Sequence, residues 1–412
     1  MLESRAIVTP SLSQIYSTQI FRMLLLLMGF LGVMNASVLP YQSLIGIEKL
    51  GLSPDQFAWV LVMTSVVGVS ASVLIGVLTD QRPIRREIAL LTSGLTLVGA
   101  VLMLALPSQT SFVLANGAFL AMATSLFSQF LALNRLASSA HPAQREAIQA
   151  GIRATMSFTY LAMLLLWMGG FALGMGVMAT YLGSALAAGA MLVLIWKYWP
   201  KAGHHLWEER SSGLRLSDAL MQLARPAVTI RVACLGCVQS AAVLYVVLTA
   251  LIFEASPLRD TGDVSLYVGM VAGWEVPFML LLPRMMGRMP RNWLILGGTA
   301  IYCIHLALIP VLVDSPLLWI LPFFGGLGAT GVLLLPLSYY QDLMQDQPGA
   351  AGALVAVQRL FADCFSAVIF TLGLAWGGYG LSALMDSGLA IGGAALLIAL
   401  DRFFPLRAKA SA

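Results

Sequence analysis

Arg359 and Asp363 stand four residues apart inside an otherwise apolar run, and Glu275 stands in the middle of another. An i,i+4 spacing puts the arginine and the aspartate on one face of a helix, within reach of each other. A charge in the middle of a hydrophobic span costs at least ~2.5–3.5 kcal/mol even on the gentler insertion scale, so such groups face a partner or a wet cavity. Glu275 is preceded by Trp274 and followed two residues on by Pro277, which can interrupt the helix ladder and bend it. A carboxyl group at that depth is either neutral or paired with a cation such as Arg359, and either state suits a proton-coupled step. Glu275, Arg359 and Asp363 are therefore the candidate proton-coupling residues. The structural alternative is an ion pair that locks two helices together.

A second set of residues could bind a polar solute. Asn35, Gln129, Gln239 and Gln358 are amides inside apolar runs, and Arg153 lies about two turns into its own. Amides supply both donors and acceptors, which hydroxyl-rich solutes need, and a ring such as Trp274 offers a flat apolar platform. Tyr160, Tyr245 and Tyr339 are further candidate platforms. Any single amide is equally well explained by hydrogen bonding between helices. His305 is a candidate proton relay, or a supporting residue of the bundle.

The elements that must position these residues are helices across a membrane. Of 412 residues 59% are hydrophobic and only 10% charged, where a soluble domain carries about a quarter; mean hydropathy is +0.86. Twelve apolar segments can be counted, near residues 21–44, 56–79, 86–107, 111–136, 147–171, 174–197, 229–254, 264–288, 291–313, 316–341, 350–375 and 381–400. Each is close to the ~20 residues that a bilayer requires. Arg5, Arg22, Arg82, Arg85, Arg86, Arg135 and Arg145 fall on one side of this pattern. Lys197 through Arg231, then Arg284, Arg288, Arg291, Arg402, Arg407 and Lys409, share that side, which leaves the other with Lys49 and Arg259. The positive-inside rule then places both termini in the cytoplasm, with Met1 to Gln19 as a polar leader ahead of the first span.

Other chemistries are poorly served. A net charge of +4, scattered along the chain, gives no reason to expect nucleic acid. Cys234 and Cys237 form a CxxC without nearby histidine or a second pair, which reads as small packing residues. His204 and His205 read as solvated loop residues, so no metal is expected. Phosphate-binding glycine loops and nucleophile triads are missing from the sequence; neither an enzyme nor an ATP-driven pump is expected, and no cofactor.

The longest hydrophilic break, Pro200 to Arg225, divides the chain into an N-terminal half (1–199), a linker (200–228) and a C-terminal half (229–412). The linker's LRLSDALMQLA stretch is amphipathic and is expected along the membrane surface. GVLTDQRPIRRE (Gly76 to Glu87) and LLPRMMGRMPRN (Leu281 to Asn292) occupy matching places in the two halves. A six-plus-six repeat of this kind resembles the major facilitator superfamily, an all-α membrane fold with substrate held between the halves. Gly76, Asp80, Arg85 and Arg86 resemble that superfamily's loop between helices 2 and 3, which implies a cytoplasmic gate; Pro83 and Ile84 depart from the usual pattern.

A narrower resemblance is to the bacterial sugar efflux transporter family. It rests on AGWEVPFMLLLPRMMGR (Ala272 to Arg288), on LPLSYYQDLMQDQPGAAGAL (Leu335 to Leu354), on Arg359, and on FLALNRLA and GIRA (Phe130 to Ala137, Gly151 to Ala154). Asp342, in the Tyr-Gln-Asp-Leu-Met turn, joins the implied gating residues. Helix 5 departs from the family with LLLWMGG in place of a glycine-proline pair, and Asp363 is an addition to the pattern. The resemblance implies a secondary transporter in the bacterial inner membrane that exports sugars or glycosides against protons. Two alternatives remain: efflux of drugs or other metabolites, and a non-transporting membrane receptor or assembly protein of the same fold.

Overall fold

The computed structural model describes residues 12–81, 84–141, 144–200, 225–286, 288–343 and 348–404. Among them there is no strand. This follows from the composition: in hydrocarbon every backbone N–H and C=O must be satisfied within the segment, and a helix does so locally. After a short α1 (Leu12–Tyr16), the N-terminal helices are α2 (Gln19–Val38), α3 (Pro54–Gln81), α4 (Arg85–Ala105), α5 (Gln109–Leu114), α6 (Ala123–Ser138), α7 (Arg145–Ala172) and α8 (Thr180–Tyr198). The C-terminal helices are α9 (Pro226–Glu254), α10 (Thr261–Met286), α11 (Arg291–Leu312), α12 (Leu321–Ala329), α13 (Leu335–Leu343) and α14 (Pro348–Phe403). His204, His205 and the amphipathic stretch of the linker lie outside the described residues, as do Arg5, Arg82, Arg407 and Lys409.

Ten segments among the described residues are long and apolar enough to cross a membrane. The last, Leu354–Phe403, has 50 residues; straight, it would run ~75 Å, more than twice the ~30 Å hydrocarbon core. It does not run straight. Gly378 has φ 77° and ψ −163°, a conformation that side chains resist. A Cβ placed on Gly373 would strike Ser382, so the chain folds back into a tight hairpin there. Helix α10, which carries Glu275, adds a further 26-residue helix to these ten.

Two of the crossings are built the same way. Gln109–Ser138 and Pro316–Tyr340 are each interrupted by a π-helical turn, at Ala115–Phe119 and Thr330–Leu334. Gln109–Ser138 is the fourth of the six segments that precede the linker, and Pro316–Tyr340, with α10 counted, is the fourth of those that follow it, so the irregularity falls at matching places in the two sets of helices. Such turns widen a helix and free side chains for other partners; Asn116, in the first, hydrogen-bonds Tyr181 at 2.9 Å.

Packing divides the molecule along its length. One buried cluster, running from Ile15 to Trp199, belongs to the N-terminal helices alone. The other begins at Ala36, includes Phe57, Phe112 and Trp167, and continues through the C-terminal helices to Leu397. The two sets of helices therefore share a core at one end and keep separate cores at the other. The shared end carries Lys49 and Arg259; the other carries Arg85, Arg86, Lys197, Arg231, Arg291 and Arg402. Bonds across the shared end are specific. Tyr41 Oη and Ser265 Oγ are 2.7 Å apart, Ser43 Oγ donates to the Val247 carbonyl at 2.8 Å, and Lys49 Nζ pairs with Glu254 Oε1 at 2.8 Å. Phe57 meets the Phe370 ring edge-on at 6.1 Å.

Small residues bring the backbones close, as expected where lipid supplies no hydrophobic contrast between helices. At Gly326 a Cβ would come within 2.6–2.8 Å of Trp274 and the Glu275 amide, so α12 can rest directly on α10 only because no side chain intervenes. The CxxC pair fits the packing expectation: Cys234 and Cys237 are free thiols against Gly393, whose Cβ would come 2.6 Å from Cys237 Cβ.

Candidate functional site

Glu275 sits on α10 at the seam between the two sets of helices. Helix α7 crosses α10 there, with Leu161 and Leu164 against Gly269. The Glu275 side chain is half-buried, and among the described residues no hydrogen bond or ion pair reaches its carboxyl group. Arg153 is the cation within electrostatic range of it, and Tyr160 and Tyr302 are also in range. Arg153 and Tyr160 belong to α7, so the electrostatic environment of Glu275 is supplied partly from across the seam. Any motion of one set of helices against the other must change it.

The sequence offered Arg359 as a partner for Glu275; the structure gives it another. Arg359 Nε donates to Asp363 Oδ2 at 2.8 Å, the i,i+4 pair that the spacing predicts. The guanidinium is half exposed while Asp363 is 5% exposed, and the second carboxylate oxygen of Asp363 has no partner. The pair thus reaches from a buried face of α14 into open space.

Trp274 is 42% exposed and forms a small aromatic floor with Phe278 and Phe323, whose rings lie 6.4 and 5.1 Å away. Beside it, α7 and α10 enclose an open cleft of about 410 Å³ whose walls include Leu161, Leu165, Met270 and Pro277. Arg153 is exposed. The amides behave differently from one another. Gln129 donates to Ser125 Oγ and Gln358 to the Leu235 carbonyl, both at 3.3 Å, as interhelical or local bonding would have it. Their oxygens, and that of Gln239, are buried without partners. Asn35 is half-buried on α2. Of the aromatic candidates, Tyr160 lies near Glu275, Tyr245 is buried beside His305 and Tyr339 bonds Asp401.

The residues expected to form a gate are placed less completely. Gly76 and Asp80 lie in the last turns of α3 and Asp342 near the end of α13. Arg85 opens α4, and Arg86 Nη2 donates to the Trp196 carbonyl at 3.0 Å, tying α4 to α8.

Sequence reasoning missed two carboxylates. Asp386, in the final apolar run, is fully buried and accepts from Ser240 Oγ at 2.8 Å; the depth rule that singled out Asp363 would have found it. Asp401 organises a network at the basic end. It accepts from Arg231 Nε at 2.7 Å, Tyr339 Oη at 2.9 Å and Asn292 Nδ2 at 2.6 Å. Arg231 also donates to the carbonyls of Ala227, Leu400 and Phe404, capping the last helix. It is 1% exposed, although the sequence placed it among loop cations.

The sequence profile of the Major Facilitator Superfamily matches residues 23–362. A Deinococcus radiodurans protein provisionally named a sugar efflux transporter is 26% identical over 362 residues, covering 82% of this chain and 87% of that one. In fold the chain is similar to the nucleoside transporter NupG, with a TM-score of 0.77 at 13% identity over 94% of this chain and 100% of that one. It is also similar to the xylose transporter XylE from E. coli in a partially occluded inward-open conformation, with a TM-score of 0.68 at 14% identity over 96% of this chain and all of that one.

Proposed function

Since the chain belongs to the Major Facilitator Superfamily, and is thus a multi-pass membrane transporter and not an enzyme, we propose that it exports sugars or glycosides by proton antiport. The observation that carries this reading is Glu275: a half-buried carboxyl group at the seam, with a cation in electrostatic range, Arg153, on the opposing helices. Alternating access moves that cation relative to the carboxyl group, so the preferred protonation state changes with the side to which the site opens. Arg359 and Asp363 add a second charged pair to the same pathway, and Asn35, Gln129, Gln239, Gln358 and Trp274 are its solute-binding residues. Gly76, Asp80, Arg85, Arg86 and Asp342 form the cytoplasmic gate.

The architecture in this reading is twelve spans in two halves joined by the linker. Eleven crossings come from α10 and the ten apolar segments, and the hairpin at Gly378 supplies the twelfth. The basic end faces the cytoplasm of a bacterium, with both termini there and the bilayer around the bundle. The bonds at Tyr41, Ser43 and Lys49 then close the outer side, and the state described is inward-facing. The substrate class is supported by the Deinococcus relative and by the indole ring of Trp274 at the cleft between α7 and α10.

Purified protein in vesicles preloaded with a panel of radiolabelled sugars tests this. Release that follows an imposed pH gradient, and that Glu275→Gln uncouples, is the expected result. The second reading, efflux of amphiphilic compounds, is favoured by the apolar cleft beside Trp274. Gradient-driven flux of such compounds with no sugar flux would replace the first reading with the second.

A further inference from the structure

His305 is fully buried on α11, and neither ring nitrogen has a hydrogen-bond partner. Three tyrosines from three helices enclose it. Tyr267 of α10 lies parallel to the imidazole with centroids 5.9 Å apart, while Tyr245 of α9 and Tyr302 of α11 lie at 5.1 and 5.4 Å. Gly325 of α12 closes the remaining side; a Cβ there would come 2.8 Å from Nε2. The hydroxyls of Tyr245 and Tyr267 are also buried and unpartnered. Orphaned polar groups cost ~1–3 kcal/mol each, so a packing role alone would favour phenylalanines at these positions. Four such atoms in one place make a site with the donors and acceptors that bind water.

Its position is as informative as its chemistry. Toward the seam, Tyr302 is within electrostatic range of Glu275 and of Asp386, and Tyr245 is in range of Tyr160. Away from it, Tyr267 meets Phe253 and Trp319 at 5.3 and 6.3 Å. The Arg259 guanidinium lies 5.3 Å from the Trp319 ring and donates to the Val313 and Ser315 carbonyls. The polar groups therefore extend from the surroundings of Glu275 to Tyr267, and the rings of Phe253 and Trp319 separate them from Arg259.

We propose that His305, with the Tyr245 and Tyr267 hydroxyls, is a water-binding proton-relay site that serves Glu275, the two residues lying against adjacent glycines of α12, Gly325 and Gly326. This rests on the proton-coupled reading of Glu275. Imidazole accepts a proton at one ring nitrogen and releases the proton held on the other, so one proton advances and histidine is left as its other tautomer. Rotation of the ring about its Cβ–Cγ bond, which exchanges the places of the two nitrogens, restores the first arrangement without carrying the proton back, and no redox partner or leaving group is needed.

The test follows the Glu275 carboxyl band by infrared spectroscopy after the pH outside vesicles is stepped, with the band assigned by its loss in Glu275→Gln. His305→Phe keeps a ring but removes both nitrogens; the Tyr245→Phe, Tyr267→Phe double variant keeps every ring and guards against misfolding of the first. Both are expected to slow the band's response at least tenfold, and the wild-type response to slow in D2O. Wild-type rates in the folded variants would overturn the relay and leave the Glu275 reading standing. A Glu275 band that ignores pH in the wild type would overturn both.

Discussion

Asp401 and Glu275 are both carboxylates of the C-terminal helices, and the molecule treats them in opposite ways. Asp401 has both oxygens bonded, to Arg231, Tyr339 and Asn292, all from the same set of helices. Glu275 receives no hydrogen bond among the described residues, and its cation stands on α7, across the seam. A saturated charge within one set of helices holds those helices together through every rearrangement. An unsaturated charge whose partner lies across the seam reports where the other set stands. In the proposed reading, the difference separates an ionisable residue that builds the protein from one that works in it.

Asp401→Ala leaves the buried Arg231 without its counter-ion and is expected to destabilise by ~3–5 kcal/mol, seen as a large loss of folded protein and a lower Tm in detergent. Full stability would mean that the network is ornamental. Glu275→Gln is expected to leave Tm within about 1–2 °C and to cut gradient-driven flux at least tenfold, about 1.4 kcal/mol. A fall in Tm like that of Asp401→Ala would make Glu275 structural too. Arg153→Met removes the cation from the opposing helices and is expected to change coupled flux severalfold, with downhill exchange preserved; equal loss of both would indicate a solute-binding role instead. Lys49→Ala breaks a pair that is partly open to solvent, with the lysine 43% exposed, and is expected to change stability by no more than ~1 kcal/mol, less at high salt. Its effect should appear as easier opening of the joined end, read from labelling of a cysteine placed at Ser265.

The same contrast explains what could be read in advance. The pair Arg359–Asp363 was legible because both partners lie on one helix, where a fixed spacing sets geometry. Glu275 was legible as a costly charge at depth, but the cation in electrostatic range of it was not, since Arg153 is brought there only by the crossing of α7 and α10. Arg231 looked like a loop cation because local sequence holds no trace of Asp401, 170 residues away, or of the helix end that it caps. His305 gave one ambiguous letter; the three tyrosines that give it meaning come from helices α9, α10 and α11.

By itself, then, the chain's order of apolar runs and basic turns determined a helical membrane protein with its buried charges, because the cost of placing a charge or an open backbone group in hydrocarbon acts residue by residue. Which helices touch, which end is joined and which carboxylate is saturated were decided only by tertiary packing. Those outcomes depend on contacts between residues far apart in sequence, made where glycines such as Gly326 let backbones meet.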